Sequence, residues 1–135
     1  MIGLDTNVLV RYVAQDDVHQ SGLATRLIEQ ELSASRPGFI SLVVHVELCW
    51  VLIRLYGATD AELLATVGDF LEAAVFRVEQ RGVVQSALSK LAKASTSKAG
   101  FADALIAALA SHHGCTQTVT FDQGASKTAG MTLLV

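Results

Sequence analysis

Short apolar runs alternate along the chain with longer stretches in which apolar residues return every three or four positions, a pattern that predicts strands interleaved with helices. Met1 to Leu4 is an apolar run ending at Asp5, and Val8, Leu9, Tyr12 and Val13 then recur at helical spacing. A second helix is predicted from about Val18 to Ala34, with Leu23, Leu27, Ile28 and Leu32 on its apolar side and Glu29, Gln30 and Glu31 toward water. Arg36-Pro37-Gly38 breaks it, Phe39-Ile40 reads as a short strand, and Ser41 suits the N-cap of the next helix. From Leu42 to Ile53 ten of twelve residues are apolar, the exceptions being His45 and Glu47. A helix apolar all round, here Leu42 to Tyr56, is expected to be covered on two sides, and Gly57 to end it. Thr59-Asp60-Ala61-Glu62 is a capping box ahead of a helix through Leu63, Leu64, Val67, Phe70 and Leu71. Val75 to Val78 reads as a strand, and Val83, Ala87, Leu88 and Leu91 as a helix fading into Ala94-Ser95-Thr96-Ser97. Phe101 to Ala110, nine of ten apolar, predicts a buried helix closed by His112, His113 and Gly114. Cys115 to Phe121 is β-rich and ends at Asp122, Gly124 to Gly130 is a short helix or loop, and Met131 to Val135 is a last strand.

Strands alternating with helices imply an α/β sandwich, with helices on both faces of a mostly parallel sheet and ligands bound beyond the carboxyl ends of its strands. At 135 residues a single domain, 1–135, is expected. With 51% hydrophobic and 17% charged residues the chain can bury a core of its own, unlike a disordered sequence. Its longest apolar runs fall far below the ~18 to 20 residues that span a bilayer, and no basic region precedes an apolar stretch at the N-terminus. A soluble, cytoplasmic protein without a membrane partner is the expectation. Cys49 and Cys115 belong to no CxxC pair and are expected to be reduced, buried small hydrophobes, with a single disulfide as the alternative. Ten Lys and Arg against thirteen Asp and Glu, a net charge of -3, argue against a broad basic face that clamps nucleic acid by releasing counterions.

Four of the thirteen acids stand apart. Glu47 and Asp103 lie in strongly apolar helices, where an isolated carboxylate must be neutral, paired or bound to a cation. Asp5 and Asp122 each end an apolar strand. Singly, Asp5 suits a helix cap, Asp103 a helix dipole, Asp122 an Asx turn, and Glu47 a salt bridge to Arg11 or Arg54. Jointly they suit a cation, and their oxygen donors select Mg²⁺ or Mn²⁺ over zinc. Zinc is further disfavoured because His112 and His113 are adjacent on a helix, without ligand spacing, and His45 lies two positions from Glu47 and faces the other way. No GxGxxG, GxxxxGK[ST] or GxSxG is present, which removes dinucleotide, P-loop and hydrolase-elbow readings.

Leu4-Asp5-Thr6-Asn7, Glu47 in the helix after the second strand, Phe101-Ala102-Asp103-Ala104-Leu105-Ile106-Ala107 and Thr120-Phe121-Asp122, in that order, resemble the PIN-domain nucleases, and most closely their VapC-type toxins. The resemblance covers essentially the whole chain. It implies a PIN-like three-layer α/β/α sandwich and a Mg²⁺-dependent endoribonuclease that cuts cellular RNA. Asp5, Glu47, Asp103 and Asp122 would then be the catalytic and metal-binding acids, with Thr6, Asn7 and Thr120 as polar helpers. The same resemblance implies a homodimer held by a VapB-like antitoxin. One departure is Gly100, where family members often carry a further acid, and it bears on how many metal ions are bound. Arg11, Lys90, Lys93 and Lys98 are candidate RNA contacts. A non-catalytic metal- or partner-binding PIN-like domain is the main alternative, and a metal-dependent hydrolase of small phosphoesters a third reading. With the four site acids set aside, the charge count no longer opposes a small RNA-cleaving groove.

Overall fold

A computed structural model describes residues 1–93 and 100–135. The predicted helix tail Ala94-Ser95-Thr96-Ser97 and the candidate RNA contact Lys98 lie outside these residues. The chain is mixed α/β and divides into two compact units, Met1–Glu79 and Gln80–Val135. None of the helices among the described residues is long and apolar enough to cross a membrane.

The first unit runs β1 (Ile2–Gly3), α1 (Thr6–Ala14), α2 (Val18–Arg26), a π-helical turn (Leu27–Glu31), β2 (Gly38–Ile40), α3 (Leu42–Tyr56), α4 (Asp60–Glu72) and β3 (Phe76–Val78). The three strands form a parallel sheet with β2 in the centre, Ile2 opposite Gly38 and Gly38 opposite Phe76. Parallel neighbours need long crossovers, which the helices supply. Gly38 is needed for close approach: a Cβ there would stand 2.6 Å from Leu4 Cδ1 and 2.9 Å from Leu32 Cδ1. Local chemistry sets the helix ends. Ser41 accepts a hydrogen bond from the Val44 N–H, Gly57 closes α3 in the left-handed region at φ 65°, and Thr59 and Glu62 complete both halves of the capping box of α4.

Two expectations are corrected in this unit. The second helix stops at Glu31 rather than Ala34, because Leu32 turns extended and Ser33 and Arg36 exchange backbone hydrogen bonds. Its last turn is π-helical, closed by the Leu32 N–H on the Leu27 carbonyl at 2.9 Å. Ser21, Ala24, Ile28 and Leu32 face inward, while Leu23, expected on the apolar side, is half exposed. Nor is α3 covered on two sides. Only the stripe His45, Leu48, Cys49 and Leu52 is buried, at the i, i+3, i+4, i+7 spacing of one helical face, and Val43, Val46, Trp50 and Ile53 remain exposed.

His45 is fully buried beside the ring of Phe70, with Nδ1 3.4 Å from the Ser41 carbonyl and Nε2 without a hydrogen-bond partner among the described residues. Burial holds its pKa below the ordinary imidazole value. The folded state therefore keeps His45 neutral, so its contribution to stability is complete above pH ~6.5 and is lost as pH falls toward the depressed folded pKa, by at most about 1.4 kcal/mol per pH unit. His45→Leu is expected to melt within a few degrees of the native protein at pH 7.5 and to lose less on acidification to pH 5, read as melting temperature against pH. Parallel curves for the two proteins would contradict this account.

The second unit holds α5 (Arg81–Lys93), α6 (Phe101–His112), β4 (Val119–Thr120), α7 (Gln123–Thr128) and β5 (Thr132–Leu133). α5 packs along α6, and β4 pairs parallel with β5, Val119 opposite Thr132. Ala125, Ala129 and Met131 form a small apolar cluster with Ala107 against it. The β-rich stretch from Cys115 yields only a two-residue strand, and the last strand is likewise short. α6 is buried through Phe101, Ala104 and Leu105 only, and Ile106 is exposed. Both cysteines are free, as expected, but Cys115 is exposed rather than buried. Cys49 is buried, which pushes its thiol up to about 12 and leaves it unreactive at neutral pH.

Candidate functional site

Asp5 follows β1 and occupies the N-cap position of α1. Its backbone carbonyl accepts the Val8 N–H at 3.1 Å, but its carboxylate makes no capping hydrogen bond. Capping therefore does not account for the acid, which is exposed at the end of the strand. Thr6 beside it is buried, and Asn7 is exposed and lines a cleft of about 320 Å³ between α1 and α2, whose walls include Val8, Leu23 and Leu27.

Glu47 is not buried in an apolar helix as its sequence neighbours suggest. It is exposed on the same open side of α3 as Val43 and Val46, so no desolvation cost forces a partner on it. The reason is geometric: α3 has more apolar residues than one buried stripe accommodates, and Glu47 falls outside the stripe that holds His45. A salt bridge to Arg11 or Arg54 is not formed. Arg11 instead pairs with Asp16 at 3.0 Å, the single ion pair among the described residues, and donates to Gln20 Oε1 and the Tyr56 hydroxyl. Tyr56 donates to Asp16 Oδ2 at 2.6 Å, and that bond, with the Arg11 contact, holds the Asp16 carboxyl below the usual range. Arg54 lies over the Trp50 ring at 5.5 Å.

In the second unit Asp103 is the third residue of α6, partly buried in a first turn whose N-cap, Gly100, offers no side chain. A carboxylate there complements the helix dipole. Asp122 follows β4, accepts the Ala125 N–H through Oδ1 at 3.0 Å as the N-cap of α7, and donates its own N–H to Thr120 Oγ1 at 3.0 Å. One Asp122 oxygen thus has the turn role that its position suggested, and Thr120 fixes the backbone that carries it.

Asp5 and Glu47 belong to the first unit, Asp103 and Asp122 to the second. Among the described residues no group of three or more His, Cys, Asp or Glu side chains is placed to hold a metal ion, and none of these four acids is ion-paired. Their donor chemistry nevertheless suits a hard cation: carboxylate oxygens without a cationic partner. Of the candidate RNA contacts, Arg11 is engaged as above, Lys90 donates to the Ala129 carbonyl at 3.2 Å, and Lys93 is exposed at the end of α5. Asp16 and Tyr56, which fix Arg11, stand 40 positions apart and carry no local sequence signal. Phe121, between Thr120 and Asp122, is 81% exposed.

A family model described as PIN domain matches residues 2–131 of the chain. No curated protein matches it.

Proposed function

Because the chain belongs to the PIN-domain family, whose members are typically metal-dependent nucleases of RNA or DNA, we propose that it is a Mg²⁺-dependent endoribonuclease, the toxin of a type II toxin–antitoxin pair acting in the cytoplasm. The observation that carries this reading is Asp5: an exposed carboxylate at a strand end, inside the family-like Leu4-Asp5-Thr6-Asn7 motif, with neither a capping bond nor an ion pair among the described residues. With Glu47, Asp103 and Asp122 it supplies the oxygen donors for Mg²⁺ or Mn²⁺. A bound cation of this kind neutralises phosphodiester charge and lowers the pKa of a water. Thr120 orients Asp122 by accepting its N–H, and Asn7 extends the polar lining next to Asp5.

The partners follow from two surfaces. The cleft between α1 and α2, apolar through Val8, Leu23 and Leu27 and beginning at Asn7, suits the C-terminal segment of a VapB-like antitoxin. The open apolar side of α3, Val43, Val46, Trp50 and Ile53, suits a second copy of the chain.

The test is metal removal. Protein freed of partners is incubated with cellular RNA, with chelator, and with Mg²⁺ or Mn²⁺ restored. Cleavage should stop with chelator and return with either ion. Cleavage indifferent to chelator overturns the proposal. A non-catalytic metal- or partner-binding PIN-like domain is the alternative reading. Mg²⁺ that raises the melting temperature while no RNA is cut would establish that alternative.

A further inference from the structure

We propose that the second unit carries a phosphate-binding pocket, separate from the candidate acids and built on Lys90 and a set of uncharged hydrogen-bond donors. The site is a cavity of about 270 Å³ lined by α5, the later turns of α6, residues 115–118 and Gly130. Within this unit it lies at the other end of α6 and β4 from Asp103 and Asp122: Ser111 is eight residues beyond Asp103, about 12 Å along the helix axis. None of the four acids lines it, so the pocket does not depend on the nuclease reading.

Lys90 is the one charged side chain of the lining, which holds no carboxylate. The lysine is open to solvent yet seated: Nζ donates to the Ala129 carbonyl at 3.2 Å and lies against Gly130, where a Cβ would collide with it. An ammonium has three N–H donors, so two remain, and no ion pair engages Lys90 among the described residues. Around it Ser86, Ser111, Thr116, Gln117 and Thr118 make no side-chain hydrogen bond within the protein among the described residues. Hydroxyls elsewhere are spent, Ser41 and Thr59 on helix caps and Thr120 on the Asp122 N–H. The carbonyls at the end of α6, which would repel an anion, are occupied too: Leu109 and Ala110 accept the His113 N–H, Ala110 also the Cys115 N–H, and Ser111 the Gly114 N–H. A fixed cation beside unspent donors, with no acid in the lining, selects an oxyanion. Donors drawn from α5, α6 and the approach to β4 suit the four oxygens of a phosphate better than the two of a carboxylate.

The test is a titration of inorganic phosphate into isotope-labelled protein at constant ionic strength, followed by amide NMR, with acetate as the comparison anion. Phosphate should produce saturable shifts at Ser111, Thr116, Gln117, Thr118 and Gly130, and acetate should not. Lys90→Gln is expected to weaken phosphate binding about tenfold, the effect of one charge-assisted hydrogen bond, at a melting temperature near the native value. Gly130→Ala, which drives the ammonium from its seat, should weaken it in the same direction; should that variant fail to fold at its φ of 74°, Lys90→Gln carries the test. Acetate acting as phosphate does, a Lys90→Gln protein with native affinity, or amides that stay still throughout overturns the pocket. A uridine dinucleotide without a terminal phosphate separates the two sources of the group. Shifts of the same amides that phosphate competes away assign the pocket to an RNA backbone, and a response to phosphate alone assigns it to a free or terminal phosphate.

Discussion

Asp5→Asn is expected to lower RNA cleavage by at least about a hundredfold while leaving the melting temperature unchanged. The size follows from its proposed place as a metal ligand, since even the groups that merely orient ligands cost about 10- to 100-fold when removed. The clean separation of activity from stability follows from the structure. Among the described residues the Asp5 carboxylate makes no capping bond and no ion pair, and Asn retains the extended N-cap backbone and the carbonyl that accepts the Val8 N–H. Surface changes of this kind usually stay within about 0.5 kcal/mol of neutral. The same experiment on Asp122 is less clean, because truncation to Ala also removes the cap of α7, a loss of about 1 kcal/mol. Initial rates on one labelled RNA, with calorimetric melting of the same samples, decide the matter. An Asp5→Asn protein that melts normally and cuts at the native rate would remove Asp5 from the chemistry.

Phe101→Ala should destabilise the chain by about 3 to 5 kcal/mol, the range for deleting a fully buried aromatic ring whose surroundings cannot collapse. Phe101 is completely buried at the first position of α6, two residues before Asp103. Against a typical domain stability of about 5 to 15 kcal/mol, the change removes a large fraction of the total. Urea titration should show a lower midpoint with the slope retained. A loss below about 1 kcal/mol would mean that the neighbouring side chains close over the space. Any fall in cleavage by this variant should track the unfolded fraction, in contrast to Asp5→Asn.

Much of this fold is written locally. The ends of α3 and α4 are legible because Ser41, Gly57 and the Thr59-Glu62 box are chemical signals confined to a few residues. The π turn was not legible, since Leu27, Ile28 and Leu32 fit an α-helical pattern, and only the backbone shows that one extra residue is taken up before Leu32. Burial on α3 was misjudged for a related reason. A count of apolar residues says how much could be buried, whereas packing decides that only the His45, Leu48, Cys49, Leu52 stripe is. The same limit applies to the acids. Their motif neighbours are adjacent in sequence and identify the family, but a Glu47 that has to be neutral, paired or cation-bound requires a burial it does not have. The clamp on Arg11 lies beyond any local reading, because Asp16 and Tyr56 meet only through tertiary folding.

The short parallel strands have a consequence for the order in which the first unit assembles. Ile2 must find Gly38 before β1 can pair with β2, and Gly38 must find Phe76 before β2 can pair with β3. Each pairing closes a long loop for the return of two or three residues of strand, whereas α1, α3 and α4 are specified by near neighbours. Helices should therefore precede the sheet on the folding pathway, and Asp5, set at the N-cap of α1 by its bond from the Val8 N–H, is positioned before β1 behind it is locked against β2. The carboxylate proposed as a metal ligand would then ride on a formed helix before the strand that precedes it is fixed.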